Sequence, residues 1–90
     1  MVSYKIEWKN SAKKELKSID RRVISDIVSA VERLAEHPTP GDSRKLRGSE
    51  RTYRIRVQDY RVIYAVDRDR VLIEVLRIGH RKEVYRQFTA

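Results

Sequence analysis

Arg54, Arg56, Arg61, Arg81 and Tyr85 are the residues of this chain whose types and spacing suit a chemical reaction. Arg54 and Arg56 are two apart, so on a strand they share a face. Arg61 follows a short turn and can project beside them from the neighbouring strand. Arg81 follows the last strand, and Tyr85, four residues on, lies one turn away if the tail is helical. Guanidiniums converging beside a phenol suit cleavage of a phosphodiester. Fixed cations stabilise the extra negative charge of a pentacoordinate phosphorane without a metal, and they lower the pKa of the phenol so that its phenolate can act as base. His80, beside Arg81, can act as acid or base, bond a phosphate, or cap the strand. The same residues also read as a solvated strand face and a packed C-terminal tyrosine.

The rest of the composition narrows the chemistry. Lys and Arg number 21 against 13 Asp and Glu, a formal net charge of +8. Arginine supplies 14 of those cations and lysine 7, and the planar guanidinium fork suits phosphate. A polyanion, or an acidic protein masking the same surface, is the expected partner; a basic domain without a specific anion is the bland alternative. There is no cysteine, so neither disulfides nor a thiolate zinc site are available. The glycines at 41, 48 and 79 fit no phosphate-loop spacing, no serine sits in a nucleophile elbow, and the carboxylates form no metal cluster. The expected site therefore uses no metal and no cofactor. The longest apolar run, Val62 to Val66, is too short for a bilayer, and the first residues lack a signal-peptide pattern. The expectation is a cytoplasmic protein with no membrane association and, at 90 residues, a single domain over 1–90.

These side chains need elements to position them. Tyr4, Ile6 and Trp8 alternate with charged residues, which predicts a strand. Asn10 or Ser11 is expected to cap a helix carrying Ala12, Leu16 and Ile19 on one face and Lys13, Lys14 and Lys17 on the other. Asp20 is expected to cap a second helix, striped by Val23, Ile27, Val31 and Leu34 and stopped by His37-Pro38. A loop follows, from Pro38 to Thr52, and it carries Arg44, Lys45, Arg47 and Arg51 as a basic arm. Tyr53, Ile55 and Val57 then alternate with Arg54 and Arg56 in a strand with one apolar and one cationic face. After a turn at Gln58-Asp59, a second strand runs from Tyr60 to Val66. Asp67-Arg68-Asp69-Arg70 reads as a hairpin turn without glycine. Val71 to Ile78 is apolar on both faces, which predicts a central strand that Gly79 should break. A short helix over Lys82 to Phe88 would end the chain. The order β-α-α-β-β-β-α predicts an α+β domain with a helix hairpin on one face of a mainly antiparallel sheet.

Four stretches, taken in order, resemble the RelE/ParE toxin superfamily, and its RelE branch in particular. They are Lys45-Leu46-Arg47-Gly48, Tyr53 to Val57, Tyr60 to Tyr64, and Ile78 to Tyr85. The resemblance covers Tyr4 to Phe88. It implies the toxin of a type II toxin–antitoxin pair, an mRNA interferase that enters the ribosomal A site, cuts mRNA there, and is neutralised by a cognate, RelB-like antitoxin in a hetero-oligomer. By position it also implies roles. Arg54 and Arg56 stand where the family has phosphate-contacting cations, often lysines; arginine keeps the charge but not a readily lowered pKa. Arg61 matches the arginine on the scissile phosphate, Arg81 the one stabilising the leaving group, and Tyr85 the base on the attacking 2′-hydroxyl. Lys45, Arg47, Arg51 and His80 complete the expected RNA contacts. There are two rival readings. One is a ParE-type toxin of DNA gyrase, a branch that generally lacks the full basic set with the terminal tyrosine, seen here in Arg54, Arg61, Arg81 and Tyr85. The other is a basic RNA-binding domain without catalysis.

Overall fold

Alternation of Tyr4, Ile6 and Trp8 with Lys5 and Glu7 gives the first segment one apolar and one charged face. In the computed structural model, which describes residues 3–80, it forms β1 (Lys5–Trp8). α1 (Asn10–Lys17) follows at once, then α2 (Arg21–Leu34). The next elements are all strands: β2 (Arg44–Lys45), β3 (Thr52–Val57), β4 (Tyr60–Asp67) and β5 (Leu72–His80). They build one sheet in the order β1-β5-β4-β3-β2, with β1 parallel to β5 and the other pairs antiparallel.

α1 lies over β5 and α2 over β3, so both helices cover the same sheet face. Ala12, Ile19, Ile27, Val31 and Leu34 meet Ile55, Val57, Val62, Tyr64, Val66, Ile73, Val75 and Ile78 in one core. Burial of each larger aliphatic side chain contributes roughly 1.5–3 kcal/mol. Trp8 and Leu16 pack half-buried against its margin. β5 has a strand on either side, as its two apolar faces predict.

Asp20 caps α2 as expected, its Oδ1 accepting from the Arg22 amide at 2.9 Å. The expected cap of α1 does not form. Asn10 is already helical and Lys9 takes the cap position without a side-chain bond. The Lys9 amide donates to the Val75 carbonyl at 2.9 Å, so sheet pairing fixes the start of the helix one residue before the polar side chains. The loop over Pro38 to Thr52 also departs from expectation: Arg44 and Lys45 pair with Arg54 and Tyr53 as β2. Nor does Gly79 end the last strand. It stays paired, opposite Arg61, and β5 continues to His80. Pairing with β4 continues through Ile78, Gly79 and His80, outweighing the modest strand penalty of glycine.

The two hairpin turns use positive φ without glycine, Gln58 at 56° and Val71 at 54°. At the second, the Asp67 carboxylate braces the turn by accepting from the Arg70 amide at 3.1 Å. β5 also carries a bulge. Ile63 faces Arg77 but Tyr64 faces Val75, leaving Leu76 as the extra residue. That single insertion lets Val75 and Ile78, three apart, both reach the core. The expected terminal helix over Lys82 to Phe88, with Arg81 and Tyr85, lies outside the described residues.

Candidate functional site

Ile55 and Val57 of β3 face the core, so Arg54 and Arg56 between them face away from the helices. On β4, Val62 and Tyr64 face the core, which puts Arg61 and Ile63 on that same outer face. The register then assembles the site. Arg56 stands directly opposite Arg61, and Arg61 opposite Gly79; in the next row Arg44 stands opposite Arg54, and Arg54 opposite Ile63. Cross-strand partners share a face with Cβ atoms about 4.5–5.5 Å apart, so four guanidiniums cluster on one patch of sheet.

The patch has the character of an anion site. Arg54 and Arg61 are half-buried and Arg56 is exposed. Among the described residues no carboxylate forms an ion pair with any of the four arginines. Arg56 Nε donates to the Gln58 carbonyl at 2.9 Å, which fixes its fork at the turn. Gln58 is tied in turn to α2 through its side-chain amide, which donates to Asp26 at 2.6 Å. Arg61 Nη1 is buried without a hydrogen-bond partner among the described residues. A buried unpaired donor is expensive, by about 1–3 kcal/mol and more when charged. A depression of about 540 Å³, lined by Asp42, Arg44, Arg54, Arg56, Gln58 and Asp59, opens beside this patch.

Other expected site residues lie apart. Lys45 is exposed next to Arg44, opposite Tyr53, while Arg47 and Arg51 are exposed beyond the start of β3. Arg51 is five residues from Arg56, roughly 17 Å along a strand. Lys45 and Arg47 line a separate depression of about 570 Å³ with Leu46, Gly48, Ser49 and Glu50. His80 is exposed at the end of β5. It pairs in register with Tyr60 and not with Arg61, its ring edge-on to that of Tyr60 with centroids 5.2 Å apart. Arg81 and Tyr85 lie outside the described residues. Arg44 is a site residue that sequence reasoning missed: in sequence it belongs to the arm, and only the pairing of β2 brings it beside Arg54.

Behind the patch the sheet is held by Tyr64. Its ring stacks on Tyr53 with centroids 6.0 Å apart, and its hydroxyl donates to the Pro38 carbonyl at 2.7 Å. Burial pushes the Tyr64 hydroxyl up from 10.0 to about 12, so this phenol stays a neutral donor and is no base. No helix among the described residues is long and apolar enough to cross a membrane.

Residues 6–85 match a family model described as "ParE toxin of type II toxin-antitoxin system, parDE". Toxin RelG of Mycobacterium tuberculosis is 25% identical over 87 residues, covering 96% of this chain and 100% of its own. The RelE of the archaeal RelE–RelB complex from Pyrococcus horikoshii is 28% identical with a TM-score of 0.80, over 89% of this chain and 97% of that one. The isolated RelE toxin of Escherichia coli is 26% identical with a TM-score of 0.79, over 94% of both chains. The agreement runs from β1 through the whole sheet that carries the arginine patch, and the chain belongs to the RelE/ParE family of type II toxin–antitoxin toxins.

Proposed function

We propose that this toxin is a ribosome-dependent endoribonuclease that cuts mRNA in the A site. The observation that carries the reading is Arg61. It is a half-buried guanidinium opposite Arg56, flanked by Arg54, with a buried Nη1 that has no partner among the described residues. A phosphate meeting the exposed part of the Arg61 side chain would offset the repulsion between the two arginines. In this reading Arg54, Arg56 and Arg44 grip the backbone phosphates and Arg61 holds the scissile one. Tyr85, as phenolate, takes the proton of the 2′-hydroxyl, whose oxygen attacks the adjacent phosphorus. The P–O5′ bond breaks, Arg81 stabilises the departing oxygen, and a proton from solvent completes the 5′-hydroxyl; the other product is a 2′,3′-cyclic phosphate. No metal takes part, the target places the protein in the cytoplasm, and the toxin is held inactive in a hetero-oligomer with a RelB-like antitoxin. The Pyrococcus relative, which was crystallised with RelB, supports that last point.

The ParE description of the family model favours a second reading, poisoning of DNA gyrase. One experiment separates them. Purified toxin is added to a translating extract with a reporter mRNA, and in parallel to gyrase with supercoiled DNA. Cleavage of the mRNA within the A-site codon, with no trapped gyrase–DNA complex, is the expected result. Trapped gyrase with intact mRNA would establish the second reading, and RNA binding with neither effect would leave a non-catalytic domain.

A further inference from the structure

Among the described residues, β5 loses its outer neighbour before it ends. Its last pair with β1 is Val75 with Trp8, and the Lys9 amide makes the final bond to the Val75 carbonyl. Beyond that point come the Leu76 bulge, then Arg77, Ile78, Gly79 and His80. Here α1 replaces the missing strand with a single side chain. Glu15 Oε1 accepts from the Ile78 amide at 3.0 Å. Its Oε2 accepts from Arg77 Nη2 at 3.0 Å and from Arg77 Nε at 3.3 Å. The side chains of Arg77 and Glu15 are only 22% and 27% exposed, so this forked contact is screened far less than a surface ion pair.

We infer that Glu15 is a positioning residue for the candidate site. It fixes the end of β5 that sets Gly79 opposite Arg61 and leads directly into Arg81. The inference rests on the cleavage reading above. Glu15 touches no substrate in it and acts through the backbone it holds. Its loss would let the strand end fray and misplace the group serving the leaving oxygen, while Arg44, Arg54 and Arg56 kept their grip on the RNA. A small misplacement of reacting groups reduces the rate by up to about 100-fold.

The test measures two things on the full chain. Amide hydrogen exchange at Ile78, Gly79 and His80 is followed without substrate, and kcat and KM are followed for mRNA cleavage on programmed ribosomes. Glu15→Ala should accelerate exchange at those amides and lower kcat by about 10–100-fold with KM unchanged. Glu15→Gln, whose carbonyl still accepts from the Ile78 amide, should restore most of both. Arg77→Ala should fall between them. Faster exchange with unchanged kcat, lower kcat with unchanged exchange, or a Gln variant no better than Ala would each overturn the inference. A wild-type chain that cuts nothing while Glu15→Ala still loosens the strand end would overturn the cleavage reading instead.

Discussion

Arg56 and Arg61 face each other directly across β3 and β4, two like charges at a cross-strand position that ordinarily pairs opposites. Such a pair destabilises a sheet by roughly 0.2–1 kcal/mol, and here part of one guanidinium is also desolvated. Arg61→Ala should therefore leave the melting temperature unchanged or raise it. Ile27→Ala, which empties a fully buried position under α2, should cost about 2–5 kcal/mol. Thermal unfolding of the two variants checks the contrast, and an Arg61→Ala chain that unfolds would make this arginine structural.

The patch should register in the salt dependence of RNA binding. Arg44→Ala and Arg54→Ala should each lower affinity and reduce the slope of log K against log salt by about one ion. The same loss at Lys45 or Arg47 is expected if RNA extends along β3 to the distant arm. Titrations at several salt concentrations give the slope, and an unchanged slope for Arg44→Ala would remove it from the RNA path.

Tyr64 gives the fold a signature at alkaline pH. Its hydroxyl ionises near 10 in an unfolded chain and near 12 when folded, so between those values the folded state holds the proton more tightly. The contribution is fully present below pH 10 and is lost as pH rises through 12, up to about 2–3 kcal/mol for that shift. Tyr64→Phe should flatten this part of the stability curve. It should also cost about 1 kcal/mol at neutral pH through the lost bond to Pro38. Denaturant unfolding from pH 8 to 12 measures both effects.

In the proposed mechanism, the chemical step separates Tyr85 and Arg81 from the binding arginines. Arg81→Ala should lower single-turnover cleavage by roughly 2.7–4 kcal/mol, as for loss of one oxyanion donor, with ribosome binding retained. Tyr85→Phe should abolish cleavage, since it removes the base but keeps the ring. A 2′-deoxy substitution at the cut site should do the same, and EDTA should have no effect. Cleavage of the deoxy substrate would exclude attack by the 2′-hydroxyl.

Much of this site was legible because it rests on period-two alternation. Tyr53-Arg54-Ile55-Arg56-Val57 can bury only one face, and Arg61 follows by a hairpin of two residues. Asp20 was legible too, since a side-chain cap is local chemistry. What escaped is what backbone pairing decides at long range. A strand of two exposed cations, Arg44–Lys45, has no hydrophobic pattern to announce it, so the place of Arg44 beside Arg54 could not be read. The bulge at Leu76 changes which residues of β5 face the core, and with it the side on which His80 meets Tyr60. Glu15 has no local signal either, since its partner, the Ile78 amide, lies 63 residues away and only the fold brings them together.

The shortness of β2 also shapes how copies of this chain meet. It borders only the first part of β3 and, among the described residues, has no strand on its other side. An exposed strand edge is a template for pairing with another molecule, and proteins commonly guard such edges with charge and brevity. Here both residues of the edge strand are cations, and Arg54 and Arg56 follow just inside it. A second copy approaching edge to edge would bring cation against cation, which disfavours that pairing. A chain carrying acidic side chains would meet no such barrier, so the charge of this edge favours a partner of opposite sign.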